Sequence, residues 1–89
     1  MAKLIVHHKV QNYSAWRKVF DDHGTARKEF GSTGAQVFQS AGDPNDVTAI
    51  MDWPSVDAAK AFATSASLKD AMKNAGVISQ PDVMFLVEA

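Results

Sequence analysis

Residues 3–10, KLIVHHKV, put Leu4, Val6, His8 and Val10 on one face and Ile5, His7 and Lys9 on the other. A run of branched residues with period two is a β-strand. This run decides the fold because the chain closes on a second one, DVMFLVE at 82–88, where Val83, Phe85 and Val87 alternate with Met84 and Leu86. Two more runs lie between them, AQVFQS at 35–40 and VTAIMDW at 47–53. Gly42-Asp43-Pro44-Asn45-Asp46, dense in turn-forming residues, is expected to reverse the chain between them.

Helical spacing fills the gaps. Asn12 is placed to cap a helix whose stripe is Trp16, Val19, Phe20, His23, Arg27 and Phe30. Gly24 marks a weak point in it, and Gly31 a left-handed stop. Pro54 ends the third strand and Ser55 caps a second helix carrying Val56, Ala59, Phe62 and Ala63. That helix is expected to break near 64–66. Ser67-Leu68-Lys69-Asp70 then reads as a capping box that restarts it, with Leu68, Ala71, Met72 and Ala75 buried and Gly76 as the stop. The order β-α-β-β-α-β predicts an α+β ferredoxin-like domain spanning residues 1–89, a four-stranded antiparallel sheet with helices on one face.

The second face of that sheet is the informative one. A sheet covered on one side alternates apolar with polar residues. Here Ile5, Phe38, Ile50, Met84 and Leu86 occupy the parity that should be polar. A chain of 89 residues buries only roughly 60–65% of its unfolded surface, and the sequence contains no cysteine with which to staple itself. A second copy is the expected cover, so a homodimer is the expected partner.

The absence of cysteine also excludes disulfides, thiolate metal sites and a thiol nucleophile. Net charge is -1. Residues 1–30 hold six basic against three acidic side chains and residues 31–89 three against seven, with no run of either sign. Nucleic-acid binding, which needs a clustered basic face, is not expected. No apolar window is long enough for a signal-peptide core or a membrane span, so the protein is expected in the cytoplasm, away from membranes. Gly31-Ser32-Thr33-Gly34 lacks the spacing and lysine of a phosphate loop, and Asp43-Pro44-Asn45-Asp46 lacks the glycine and glutamate of a calcium loop. His7 and His8 are neighbours on a strand and point to opposite faces, so they make a poor metal pair and no metal site is expected.

Several stretches carry a resemblance: KLIVHHKV, Tyr13-Ser14-Ala15-Trp16, Val19-Phe20-Asp21-Asp22-His23, the expected turn Asp43-Pro44-Asn45-Asp46-Val47, Trp53, Phe62-Ala63, Leu68-Lys69-Asp70-Ala71-Met72, Ala75-Gly76-Val77 and Val83-Met84-Phe85-Leu86. Over nearly the whole chain the sequence resembles small bacterial dimeric α+β barrel proteins of the antibiotic biosynthesis monooxygenase-like superfamily. The resemblance implies a homodimer whose sheets close a barrel and a ligand cavity within each subunit between sheet and helices. It implies a lining drawn from His8 or His7, Trp16, Phe20, His23, Arg27, Met51 and Trp53. The superfamily includes haem-degrading members with a ligating histidine on the second helix. The span 56–75 contains no histidine, so haem chemistry of that kind is not expected.

The expected function is therefore that of a cofactor-independent monooxygenase, isomerase or cyclase acting on a small aromatic or cyclic molecule. His8, His23 and Arg27 are the catalytic candidates: a histidine to move the proton and Arg27 to stabilise an anion. Trp16, Phe20, Met51 and Trp53 are the candidate ligand-binding walls. The rival reading is a dimeric ligand-binding or interaction module without turnover.

Overall fold

A computed structural model describes residues 2–89. The elements are β1 (Ala2–Lys9), α1 (Tyr13–Asp22), α2 (Gly24–Glu29), β2 (Gly34–Ser40), β3 (Asp43–Trp53), α3 (Val56–Ala63), α4 (Ala66–Asn74) and β4 (Asp82–Val87). All strand pairs are antiparallel and the sheet order is β2-β3-β1-β4, the ferredoxin-like arrangement. No helix is long and apolar enough to cross a membrane.

The helices break where the sequence weakens them. Asn12 accepts from the Ala15 N–H and opens α1, and a single residue, His23, separates α1 from α2. Gly31 (φ 104°) and Gly76 (φ 78°) terminate the two helical layers in the left-handed region that favours glycine.

Two local expectations are corrected. The reversal between β2 and β3 falls at Ala41-Gly42, and residues 43–46 are strand instead of turn. Pro44 is tolerated because it lies beyond the end of the β1 ladder, which closes at Lys9 opposite Asp46, and beside a register shift at Gln39/Ser40. The restart of the second helical layer is capped by Ser65, whose hydroxyl accepts from the Leu68 N–H at 3.1 Å. Ser67 therefore sits inside α4, its hydroxyl free to reach another element.

Register makes the two sheet faces explicit. Leu4, Val6 and His8 on β1 stand beside Met51, Ala49 and Val47 on β3, all buried beneath the helices. Phe62 on α3 closes this core against Trp53, with ring centroids 5.0 Å apart, and against Phe30 at 5.6 Å. On the opposite face Ile5 lies between Ile50 and Met84, with Leu86 and Phe38 further out, and Phe38 and Met84 are about half exposed (50% and 51%). His7, also on that face, is bracketed by Asp46 of β3 and Asp82 of β4. Its hydrogen bonds to Asp46 and then Asp82 raise its pKa above the usual histidine value.

Candidate functional site

Between the helix-covered sheet face and the helices lies a cavity of about 40 Å³. His8 from β1, Trp16 and Phe20 from α1, His23 from the α1–α2 junction, Arg27 from α2 and Met51 from β3 all line it. Six of the seven residues singled out in the sequence thus meet in one place. The seventh, Trp53, lies outside the lining, fully buried beneath Phe62 with its indole N–H unpaired among the described residues.

His8 is the unusual member. It is 4% exposed, and neither ring nitrogen has a hydrogen-bond partner among the described residues. Burial, with a smaller contribution from the charge at His7, lowers its pKa to about 4, so the ring is neutral at pH 7. A buried polar group without a partner costs on the order of 1–3 kcal/mol. The register that places Leu4 and Val6 in the core forces the His8 imidazole inward with them. Its ring meets the Trp16 edge at 5.7 Å, and Trp16 in turn stacks on Phe20 at 5.0 Å and Tyr13 at 6.0 Å.

Arg27 is half committed. Its Nη1 donates to the Phe20 carbonyl at 2.7 Å, satisfying an acceptor in the last turn of α1, and its guanidinium lies 3.8 Å from the centre of the Phe20 ring. Burial lowers its pKa, but a guanidinium stays charged at neutral pH and keeps further N–H donors for a ligand. His23 Nε2 lies 2.7 Å from the Ser67 hydroxyl, and its ring packs on Phe62 at 5.6 Å. Burial and then the Arg27 charge lower the His23 pKa. His23 therefore ties the α1–α2 junction to α4 as well as facing the cavity.

The remaining walls include Phe62, Leu68, Ala71 and Met72. Their helical spacing marks them as core-facing, and only the assembled fold shows that part of that core is hollow. Among the described residues no group of three His, Asp or Glu side chains is arranged to hold a metal ion.

No protein-family model matches the sequence, and no curated protein matches it. The fold does match solved structures. One is an antibiotic biosynthesis monooxygenase at TM-score 0.77 and 16% identity, covering 100% of this chain and 99% of that one. A second, provisionally an antibiotic biosynthesis monooxygenase, is from Bordetella bronchiseptica, at TM-score 0.84 and 19% identity, with 99% and 96% covered. A third is an N63A mutant of SnoaB, a cofactor-independent oxygenase from Streptomyces nogalater, at TM-score 0.76 and 16% identity, with 98% and 91% covered. These likenesses establish the fold.

Proposed function

We propose that the protein is a cofactor-independent enzyme of the monooxygenase type, acting on a small aromatic or cyclic molecule held against the cavity wall that Trp16, Phe20 and His8 form. The observation that carries this reading is the His8 imidazole, buried, neutral and unpaired, facing a cavity that Arg27 also lines. The oxygenase activity of a fold neighbour supports it. His8 takes a proton from an acidic C–H of the ligand, and the carbanion spreads its charge into the ring. The low pKa of His8 is no obstacle, because the imidazolium and the new anion form as a pair and Arg27 adds a second positive charge. Dioxygen bonds to the carbanion, the peroxide recovers the proton from His8, and cleavage of the O–O bond with loss of the second hydrogen of that CH2 carbon as water leaves a ketone.

Oxygen uptake with polycyclic hydroquinones whose keto tautomers carry a ring CH2 group tests this, with phenol as a binding probe that does not react. Uptake above the buffer rate is expected, falling at least 100-fold in His8→Leu while phenol binding persists. Binding without uptake in the unaltered protein would instead support a binding module without turnover.

The same reading includes a homodimer formed through the open sheet face. Ile5, Ile50, Phe38, Met84 and Leu86 form an apolar patch there that water disfavours. Sedimentation at micromolar concentration is expected to show a dimer, and Met84→Asp, which buries a charge in that interface, a monomer that keeps its circular dichroism. A monomeric unaltered protein would sink this part of the proposal.

A further inference from the structure

With Leu68 and Met72 as they stand, the inner cavity, at about 40 Å³, has room for a water molecule or two, so a ring reaches His8 only when these side chains move. Beyond its α4 wall lies a groove of about 490 Å³ between α4 and the start of β4. Val6, Leu68 and Met72 line both spaces, so these residues stand at the partition between them. Leu68 and Met72 are only partly buried, and no residue of α4 is fully buried. The Ser67 hydroxyl on His23 and the Ser65 cap tie the start of this helix, and the Val77 N–H donates to the Met72 carbonyl near its end. A leucine and a methionine can change rotamer without breaking a hydrogen bond, and methionine does so cheaply.

The groove has a definite chemistry. Ala63, Ala66, Pro81 and Val83 give it apolar walls, Thr64, Ser65 and Gln80 add polar groups, and among the described residues Lys69 is its one charged lining residue. Among the described residues Lys69 makes no ion pair. Beyond Val83, the helix-side residues of β4 continue as an uncovered apolar strip, Phe85 and Val87. A buried imidazole on one side of Leu68 and Met72, and on the other a lysine that makes no ion pair among the described residues, match one shape of ligand.

Resting on the cavity reading above, we infer that the binding space runs past Leu68 and Met72 into this groove, and that it takes an elongated molecule. The ring of that molecule lies at His8, and an apolar chain fills the groove and ends in an anionic group at Lys69. Rotation of Leu68 and Met72 joins the two compartments.

The probes are phenol and a series of ω-phenylalkanoic acids with increasing numbers of methylenes, read by tryptophan fluorescence, since Trp16 lines the cavity. Affinity is expected to rise about two- to fourfold per methylene until the chain spans the groove, then level off. Lys69→Gln should weaken the long acids about threefold at low ionic strength, an effect that fades with salt and is absent for phenol and for the methyl esters. Ala66→Trp, on the groove wall, should remove the chain-length gain and leave phenol unchanged. Affinity independent of chain length, or equal effects of Lys69→Gln on acids and esters, overturns the inference. Phenol binding with no gain along the series overturns this inference alone. Long acids that bind through Lys69, with His8→Leu retaining oxygen uptake, overturn the catalytic reading alone. No binding by any probe overturns both.

Discussion

Phe62→Ala is expected to bring the protein close to unfolding. Phe62 is fully buried, and its ring touches Trp53 on β3, Phe30 after α2 and His23 at the α1–α2 junction. One side chain therefore joins the second helical layer to the sheet and to the first layer. Truncating a buried phenylalanine costs about 3–5 kcal/mol, the lost transfer energy plus the cavity left behind. A domain of this length has roughly 4–13 kcal/mol in total at about 0.05–0.15 kcal/mol per residue. Urea unfolding followed by circular dichroism should show the midpoint falling by a third or more. Phe62→Leu, which keeps most of the volume, should cost about 1–2 kcal/mol. Phe62 also walls the cavity, so ligand affinity should fall with stability in Phe62→Ala. A loss below about 1 kcal/mol would mean that the two layers are held together elsewhere.

Phe62 also shows what the sequence made legible. Its spacing with Ala59 marked it as core, and the alternation in β1 and β3 fixed which side chains lie beneath it. Period-two and period-3.6 patterns report faces, and faces determine topology once the strand order is known. Residues 43–46 were misread for a physical reason: turn-forming residues also fit a strand end where no ladder hydrogen bond is required of Pro44. Ser67 loses the cap to the hydroxyl two residues earlier, which competes for the same N–H groups. The site divides along the same line. The parity of β1 groups His8 with Leu4, Val6 and Val10, but both sheet faces carry apolar residues, so the choice between His7 and His8 needs the assembled fold. The Ser67–His23 bond, the committed Nη1 of Arg27 and the groove behind Leu68 and Met72 depend on distances between elements far apart in sequence, which no periodicity encodes.

Adjacent histidines on one strand should give the protein a stability optimum near neutral pH, with the acid limb set by His8. Above pH 6.5 His8 is neutral in both the folded and unfolded chain and contributes no pH dependence. Below 6.5 the unfolded chain takes up a proton that the folded chain refuses until about pH 4. The unfolded state then binds more protons, so stability falls with pH, by about 3 kcal/mol once both values have been passed. His23, whose pKa is lowered by burial and by Arg27, adds to the loss with the same sign. His7 acts in reverse. Its pKa is raised by Asp46 and Asp82, so its contribution is complete below 6.5 and is lost as pH climbs through the raised value. With 42% of the His7 side chain exposed, water and salt weaken that alkaline limb. His8→Leu separates the effects. It replaces an unpaired buried imidazole by a side chain suited to its neighbours, so it should stabilise the protein by about 1–2 kcal/mol at pH 7 and flatten the acid limb. His7→Gln should flatten the alkaline limb and, by removing the smaller of the two causes that lower the His8 pKa, make the acid limb slightly shallower. Urea midpoints at pH 4.5, 7 and 8.5 for the three proteins decide this. An acid limb unchanged in His8→Leu would place the titrating group elsewhere. A His8→Leu protein that is more stable but inactive would show that the imidazole is kept at an energetic cost to the fold because the cavity chemistry requires it.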